Sequence, residues 1–286
     1  VNPEAEEVSA PFFVYMRGKG TNEKMDRIRR ALSRTGGLLV AFSGGVDSAV
    51  LARLALDALG DRAVAVTVDS QTYTAAELRE ARNLARQIGI RHIVVRHDEL
   101  AEEAFCQNPP DRCYLCRRGL AGRLQKIADG LGIATIADGA NFSDTFEHRP
   151  GIRAATESGV LHPLMEHKVT KEMVRRMARA LKLPVANRPS SACLSSRIPY
   201  GERITLEKLK QIELAESYIR LLGFKQVRVR HHGTIARIEV EPQAVLRLVR
   251  KGTMEKVARR LRNLGFTYVT ADLEGYRSGS LDEALK

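Results

Sequence analysis

The sequence is poor in aromatic residues and lacks a long apolar run. Tryptophan is absent and aromatic residues make up 5% of the 286 residues, so the stacking platforms that bind single-stranded RNA are not evident. No apolar stretch approaches the roughly 20 residues that a membrane-spanning helix needs. Residues 1–20 begin acidic and polar, unlike a secretory signal, and are expected to form a disordered segment. We therefore expect a cytoplasmic protein with no membrane partner.

Cysteine is also scarce, with four in the chain, and in the cytoplasm we expect no structural disulfide. Cys113 and Cys116 have a spacing that suits a shared metal centre or a redox pair, and Cys193 lies in a proline-broken segment. Three thiolates that leave one iron open suit an iron–sulfur cluster, whereas structural zinc would want a fourth ligand. Cys106 follows Phe105 and is expected to be a buried thiol. A role outside metal binding stays open for the whole group.

The chain has fewer acidic residues (34 Asp or Glu) than basic ones (46 Lys or Arg), and most of the basic excess lies in one region. The net charge is +12, and residues 225–262 contain eleven Lys or Arg against three Glu. Arg228 and Arg230 alternate with Val227 and Val229, a strand pattern that places both guanidinium groups on one face. Such a face suits a phosphorylated small molecule at least as well as tRNA, although most basic runs are solvated surface. We expect a phosphorylated small molecule and not a nucleic acid as the partner.

Buried-strand patterns alternate with helix patterns over the first two thirds of the chain. The expected strands are 38–42, 63–68, 93–95 and 133–137. The expected helices are 22–35, one that follows the glycine loop and ends near Leu59, 74–89 (with a capping box from Thr74 to Glu77), 114–131 and 170–182. Near-continuous apolar strands that alternate with helices predict an α/β fold with a doubly wound parallel sheet. We assign residues 21–200 to this domain.

A different pattern begins after residue 200. Residues 184–201 contain three prolines and no usable periodicity, as expected of a functional loop or a linker. The chain then predicts a helix at 205–222, strands at 226–231, 234–240 and 267–271, and one or two further helices. We therefore expect a smaller C-terminal α+β domain over residues 201–286.

The strongest motif is Ser43-Gly44-Gly45-Val46-Asp47-Ser48, which follows an apolar strand and precedes a helix. The two glycines let the backbone approach a ligand closely, and the helix presents N–H groups and a positive dipole end to an anion. Asp47 is a candidate for holding Mg²⁺. Because no Gly-Lys-Ser/Thr ending follows, this is not the Walker loop of phosphoryl transfer. Asp69 and Gly139 fall at two further strand ends, so we expect all three loops to converge on one crevice.

The hexapeptide resembles the pyrophosphatase loop of the N-type ATP pyrophosphatases, whose fold is HUP-like. From about residue 25 onward, the chain resembles the ATP-dependent sulfurtransferases that help to build the nickel-pincer nucleotide cofactor of lactate racemase. The stretches that carry the resemblance are Ala41–Ser48, Asp138-Gly139, Arg149–Gly151, Ser195–Gly201, Val227–Arg230, Ile235–Glu239 and Tyr276–Gly279. The first is specific to the superfamily, while Ser195–Gly201 and Val227–Arg230 are specific to the family.

The resemblance implies that ATP adenylylates a carboxylate of a pyridinium biscarboxylic acid mononucleotide, that pyrophosphate leaves, and that sulfur then displaces AMP. It implies ATP and Mg²⁺ as cofactors and ring-like homo-oligomers. The implied nucleotide-binding residues are Ala41, Ser43, Gly44, Gly45, Val46, Asp47, Ser48, Asp69 and Gly139. The implied substrate-binding residues are Arg197, Arg228, Arg230, Arg237, Arg277 and Glu216. The implied catalytic residues are Asp47 and the cysteines 113, 116 and 193.

The sulfur source differs within the family. Some members sacrifice a single cysteine before the Ser-Ser-Arg stretch, and others hold a [4Fe-4S] cluster with three cysteines. Cys113, Cys116 and Cys193 match the second type, and Cys193 stands one residue closer to that stretch than the sacrificial cysteine does. Three alternatives remain: a tRNA thiolation enzyme of the same superfamily, an ammonia-using ligase such as NAD synthetase, and a non-enzymatic nucleotide sensor with structural zinc.

Overall fold

The computed structural model describes residues 10–146, 149–189, 192–277 and 279–280, with side chains from residue 20 onward. The chain divides into two compact units. The first comprises residues 1–68, 79–95 and 117–188, and the second comprises residues 69–78, 96–116 and 189–286. The boundary near residue 200 stays a prediction. Of the segment predicted to be disordered, residues 1–9 lie outside the described residues, and the first helix begins at Ala10.

The sheet of the first unit has four strands in the order β3-β2-β1-β4. They are β1 (Leu38–Ala41), β2 (Ala63–Asp69), β3 (Arg91–Arg96) and β4 (Ile136–Ala137). β1 pairs in parallel with both β2 and β4. Leu38 and Val40 pack into one apolar cluster and Leu39 into another, because successive side chains point to opposite faces of a strand. The predicted α/β parallel sheet with helix-covered faces is confirmed.

The α-helices are α1 (Ala10–Leu32), α2 (Val46–Leu59), α3 (Ala75–Ile88), α4 (Glu103–Cys106), α5 (Arg112–Gly130), α6 (Pro150–Glu157), α7 (Pro163–Glu166), α8 (Lys171–Ala180), α9 (Leu206–Leu221), α10 (Val245–Leu248) and α11 (Lys251–Asn263). The predicted helices are present, although the first begins at Ala10 and not near residue 22, and the short helices α4, α6 and α7 were not predicted. The last predicted strand of the sheet was too long, because the Ile133 N–H closes the turn that ends α5 on the Ala128 carbonyl at 2.9 Å. No helix in the described ranges has the length and hydropathy to cross a bilayer.

The second unit contains its own small sheet. Its strands are β5 (Val227–His232), β6 (Ile235–Val240) and β7 (Tyr268–Ala271), in that order. β5 and β6 are antiparallel, and β6 and β7 are parallel. Ala215 and Ile219 of α9 pack on Val227 and Val229. A second apolar cluster joins Phe105 and Cys106 to Leu194, Ile198 and Ile204. The predicted α+β pattern is therefore present, and stretches from before residue 200 add to it.

Candidate functional site

The loop between β1 and α2 has the geometry of an anion site. Gly44 has a φ of +69°, and a Cβ there would lie 3.0 Å from the Cα of Ala81, so any side chain at this position would be strained and tightly packed. Gly45 caps α2 without a side-chain hydrogen bond, which leaves the first N–H groups of the helix available to a ligand. The Ser48 hydroxyl donates to the Gly45 carbonyl at 3.1 Å and lies 3.3 Å from the Ser43 hydroxyl. Hydrogen bonds between residues of the loop itself therefore help to fix its conformation.

The turn after β4 packs directly against the same helix end. A Cβ on Gly139 would lie 2.7 Å from the backbone nitrogen of Ser48 and 2.8 Å from the carbonyl carbon of Asp47. No side chain can occupy that position without moving the first turn of α2. The structure therefore brings Gly139 together with Asp47 and Ser48, which the sequence analysis placed after a different strand.

Asp47 projects from the first turn of α2 into a polar network. Its carboxylate pairs with the Lys171 ammonium and accepts a hydrogen bond from the Asn141 side-chain amide at 3.2 Å. Asn141 also donates to Asp144 through both its backbone N–H (2.9 Å) and its side chain (2.8 Å). The loop after β4 therefore fixes the position of Asp47, and Lys171 places a positive charge beside it.

A buried His–Asp pair supports the Gly139 turn. His162 Nδ1 lies 2.7 Å from Asp138 Oδ1, and the Ala140 N–H donates to the same oxygen at 3.0 Å. Burial raises the pKa of Asp138, but the hydrogen bond from His162 and the charge of Arg117 outweigh it, so the pKa lies below its ordinary value. The carboxylate thus stays ionised and holds the turn that carries Gly139.

Arg188 approaches the other side of the glycine loop. Its guanidinium donates to the Gly44 carbonyl at 3.2 Å and pairs with Glu80. Arg188 and Lys171 thus place two cations at the loop, and the sequence reasoning selected neither of them. Both lie far from the loop in sequence, so only the fold reveals their position. The remaining predicted nucleotide-binding residues are Ala41, Val46 and Asp69, which are the last residue of β1, the first of α2 and the last of β2.

The cysteines at 113, 116 and 193 all belong to the second unit. Cys113 and Cys193 are exposed and Cys116 is half-buried. The Cys116 thiol donates to Glu99 Oε1 at 3.1 Å, and the Cys193 sulfur lies 3.1 Å from the Ser195 hydroxyl. Among the described residues, no group of three or more His, Cys, Asp or Glu side chains is arranged to hold a metal ion. Thiols are suitable ligands for an iron–sulfur cluster, but the described side chains are not arranged as a metal site in this structure.

Cys106 is buried, as its apolar neighbour predicts. Its thiol donates to the Leu100 carbonyl at 3.3 Å, and burial raises its pKa. Glu99, which the sequence reasoning missed, is a buried carboxylate that accepts from the hydroxyls of Thr72 (2.5 Å) and Ser70 (3.2 Å). Its contact with Cys116 makes it part of the cysteine site.

The predicted basic residues include two buried ion pairs. Arg197 and Glu216 form a two-pronged pair with N–O distances of 2.8 and 3.0 Å. Arg230 and Glu239 form another, at 2.9 and 2.8 Å. Burial lowers the pKa of Arg197, but the charge of Glu216 outweighs it and the net shift is upward. Arg197 keeps its charge. Both arginines use most of their hydrogen-bond donors within the protein.

Arg228 differs from these two. It is buried, it has no carboxylate partner among the described residues, and its guanidinium lies 5.5 Å from the centre of the Tyr276 ring. Burial lowers its pKa to about 10, which leaves it cationic at neutral pH. Arg237 and Arg277 are half-buried, and both pair with Asp272. Of the predicted substrate-binding arginines, Arg228 is thus the buried one without an ion pair to a described carboxylate, although the nearby charge of Glu216 partly offsets the effect of burial on its pKa.

The parallel sheet and the loop at the N-terminus of α2 define the class, an N-type ATP pyrophosphatase. The family model for NAD synthase matches residues 21–118. An uncharacterised protein of Synechocystis is 42% identical over 262 residues, which cover 92% of this chain and 98% of that protein. The pyridinium-3,5-bisthiocarboxylic acid mononucleotide synthase of Lactiplantibacillus plantarum is 39% identical over 251 residues, covering 86% and 89%. A tRNA-specific 2-thiouridylase of Syntrophotalea carbinolica is 31% identical over 201 residues, covering 58% and 56%.

The match to the bisthiocarboxylic acid mononucleotide synthase extends over both units of the chain, whereas the thiouridylase match covers little more than half of it. The chain belongs to the family of pyridinium-3,5-bisthiocarboxylic acid mononucleotide synthases.

Proposed function

We propose that this protein is an ATP-dependent sulfurtransferase of nickel-pincer cofactor synthesis, acting on the carboxylates of a pyridinium biscarboxylic acid mononucleotide. The observation that carries the proposal is the 39% identity to the Lactiplantibacillus plantarum synthase over 89% of its length. The intact glycine loop at the N-terminus of α2 supports the use of ATP.

The reaction has two balanced steps for each carboxylate. A carboxylate oxygen of the substrate attacks the α-phosphorus of ATP, the bond to the β-phosphate oxygen breaks, and pyrophosphate leaves. A sulfur nucleophile then adds to the carbonyl carbon of the acyl adenylate, AMP leaves with the bonding electrons, and the sulfur proton passes to solvent. The product is a thiocarboxylate, and no oxidant or reductant is consumed. Repetition on the second carboxylate gives the bisthiocarboxylic acid.

The first unit supplies the groups for the adenylylation step. The N–H groups at the start of α2 are fixed donors for the departing pyrophosphate, so they stabilise its charge without reorganising. Lys171 and Arg188 add positive charge at this loop. Asp47 offers the hard oxygen ligand that Mg²⁺ prefers alongside ATP phosphates. Gly139 allows the close approach of the β4 turn on which this arrangement depends.

Arg228 is the best candidate for binding an anionic group of the mononucleotide. A buried guanidinium without a carboxylate partner among the described residues favours an incoming phosphate or carboxylate. Arg197 and Arg230 are compensated by Glu216 and Glu239, so they contribute mainly by holding this surface in place. We propose that Arg237 and Arg277, which share Asp272, lie at its edge.

The cysteines at 113, 116 and 193 are proposed to supply the sulfur site. A [4Fe-4S] cluster held by three thiolates would offer one open iron for a transferable sulfide. The thiols fit this group in type, and Arg112, beside Cys113, leaves its buried Nε without a hydrogen-bond partner. Because the described residues contain no ready-made metal centre, the cluster is a proposal for the loaded protein. Cys193 as a sacrificial donor is the alternative.

The test is an anaerobic assay with ATP, Mg²⁺, sulfide and the pyridinium biscarboxylic acid mononucleotide, before and after reconstitution with iron. We expect one pyrophosphate to be released for each oxygen that is exchanged for sulfur. The exchange is measured by mass spectrometry of the product. Multiple turnovers only after reconstitution would support the cluster. A single turnover that converts Cys193 to dehydroalanine would support the sacrificial route.

Two results would contradict the proposal. Pyrophosphate release that depends on ammonia would favour a ligase, in line with the NAD synthase match. Release that depends on tRNA would favour tRNA thiolation, in line with the weaker thiouridylase match.

A further inference from the structure

Asn108 is a buried residue of the second unit in an uncommon conformation. It is 0% exposed and has a φ of +56°, a left-handed geometry that asparagine tolerates better than most residues. Its side-chain nitrogen donates to the carbonyls of Ile198 (3.2 Å), Pro199 (2.7 Å) and Glu202 (3.1 Å). Its own carbonyl accepts from the Gly201 N–H at 2.9 Å. Asn108 therefore holds the irregular segment 198–202 by bonding the carbonyls of Ile198, Pro199 and Glu202, which lie outside helices and strands.

Arg112 extends this network to a second point of the same segment. Its guanidinium donates to Asn108 Oδ1 and, at 3.1 Å, to the Ser195 carbonyl. The guanidinium also lies 4.9 Å from the centre of the Tyr200 ring. Arg112 is 2% exposed and has no carboxylate partner among the described residues. Its charge faces amide and carbonyl dipoles and a ring, and its Nε has no hydrogen-bond partner among those residues. Asn108 and Arg112 together form what we call the clamp.

The clamp joins the two segments that carry the cysteines. Arg112 is the first residue of α5 and directly precedes Cys113, with Cys116 in the same turn. Ser195 lies two residues after Cys193. Half-buried Cys116 packs against the apolar cluster that contains Leu194 and Ile198. The start of α5 and the segment after Cys193 therefore meet through the clamp and this cluster.

We propose that Asn108, acting through Arg112, is a positioning residue that sets the placement of Cys193 relative to Cys113 and Cys116. This inference rests on the proposed function, because it assigns the clamp to the sulfur site. Sequence-distant thiols can share one metal centre only if their backbones are held in register, and neighbouring hydrogen bonds supply that constraint. The clamp links backbone carbonyls, so it fixes the chain and not merely one side chain.

The test variant is Asn108→Gly, which accepts the positive φ and removes the amide. The matched control is Gln211→Ala. Gln211 also lies in the second unit, and its amide joins sequence-distant groups, the Leu264 carbonyl at 2.8 Å and the His231 ring at 2.9 Å, but it contacts no cysteine segment. If Asn108→Gly fails to fold, Asn108→Asp replaces it, because a carboxylate keeps the acceptor for Arg112 yet cannot donate to the three carbonyls.

The first readout is iron binding after anaerobic reconstitution, measured as iron release to a chelator and by the electron paramagnetic resonance spectrum after reduction. We expect about 10- to 100-fold weaker iron retention in Asn108→Gly, the usual effect of losing a group that orients metal ligands. ATP affinity, a property of the first unit, should be unchanged in both variants. Wild-type retention in Asn108→Gly, or an equal loss in Gln211→Ala, would overturn the inference.

The second readout does not need iron. The rate at which iodoacetamide modifies Cys116 in the metal-free protein, relative to exposed Cys113, reports whether the packed segment has loosened. We expect an increase of about tenfold in Asn108→Gly, because a buried hydrogen-bond network is lost, and none in Gln211→Ala. If the wild-type protein takes up no iron, the cluster part of the proposed function fails. The alkylation rates then decide the clamp alone, and an unchanged ratio overturns it.

Discussion

Glu216 is a buried carboxylate that pairs with Arg197 and Arg220. The substitution Glu216→Gln tests how much this charge stabilises the fold. Glu216 is 0% exposed. It accepts two hydrogen bonds from Arg197, one from Arg220 at 2.6 Å and one from the Val229 N–H at 3.1 Å. Burial raises its pKa, but the charge of Arg197 outweighs burial, and the pKa lies below its ordinary value. Glutamine keeps the shape of the side chain, removes the charge and replaces one of the two accepting oxygens with an N–H donor.

The expected cost can be derived from the geometry. Removing one partner of a buried ion pair costs about 3–5 kcal/mol in unfolding free energy, because the remaining charge is left uncompensated. Here that charge is on Arg197, which is buried, while Arg220 is 39% exposed in its side chain and adds little after solvent screening. At about 2–4 °C per kcal/mol for a chain of this size, the melting temperature should fall by about 6–20 °C.

The assay is equilibrium unfolding in urea, followed by circular dichroism at pH 7 and repeated at lower pH. Glu172→Gln is the control, because Glu172 pairs with Arg176 at 2.7 Å but its side chain is 73% exposed. We expect that control to cost less than about 1 kcal/mol. A Glu216→Gln loss as small as that of the control would refute the reasoning.

The pH dependence gives a second check on the same variant. Because the folded pKa of Glu216 lies below the ordinary value of 4.5, its charge stabilises the fold fully above that value. The contribution is lost as the pH falls through the folded pKa. The difference between wild type and Glu216→Gln should therefore be constant near neutral pH and should shrink in acid. A difference that persists in acid would assign the loss to packing and not to charge.

Two further predictions concern the nucleotide loop and the substrate anion. Gly139→Ala should weaken ATP binding by about tenfold or more, measured by calorimetry, because its Cβ would lie 2.7 Å from the Ser48 nitrogen. Gly122→Ala, where a Cβ meets nothing within 4 Å, should bind ATP as the wild type does, and equal affinities for both variants would contradict the steric argument. Arg228→Met should raise the KM for the mononucleotide by about tenfold or more with ATP affinity unchanged. The matched Arg259→Met, on the exposed side of α11, should leave KM unaltered, and an unchanged KM in Arg228→Met would remove Arg228 from the substrate site.

Features with a local cause were predictable from sequence. The capping box is an example, since the Glu77 N–H donates to the Thr74 hydroxyl at 3.1 Å and the Thr74 N–H donates to the Glu77 carboxylate at 3.0 Å. The parallel sheet followed from apolar runs of strand length, and the loop at Gly44 from its motif. The capping box, the glycine motif and the strand positions depend on neighbours within a few residues, so these patterns are complete in the sequence. The pairing of the strands, such as Leu39 with Ile136, was inferred only from their alternation with helices.

Features that depend on sequence-distant partners were not predictable. Lys171 reaches Asp47 across 124 positions, and the clamp joins Asn108 to carbonyls 90 or more positions away. The alternation of Arg228 and Arg230 with valines indicated a shared face, but not that this face is buried. The carboxylate for Arg230 comes from β6, whose register with β5 sequence reasoning did not supply.

The basic residues of the C-terminal region therefore fall into three groups, which differ in burial and in whether a carboxylate pairs with them. Arg230 is buried and neutralised by Glu239, so its charge serves the fold. Exposed cations of α11 such as Lys256 and Arg259 are solvated, so they contribute to the net charge and not to a defined site. Arg228 is buried without an ion pair to a carboxylate among the described residues, which is why we propose it as the group that binds an anion of the substrate. The concentrated basic face predicted from the sequence therefore contains arginines of three kinds, and only the buried arginine without an ion pair supports the proposed binding role.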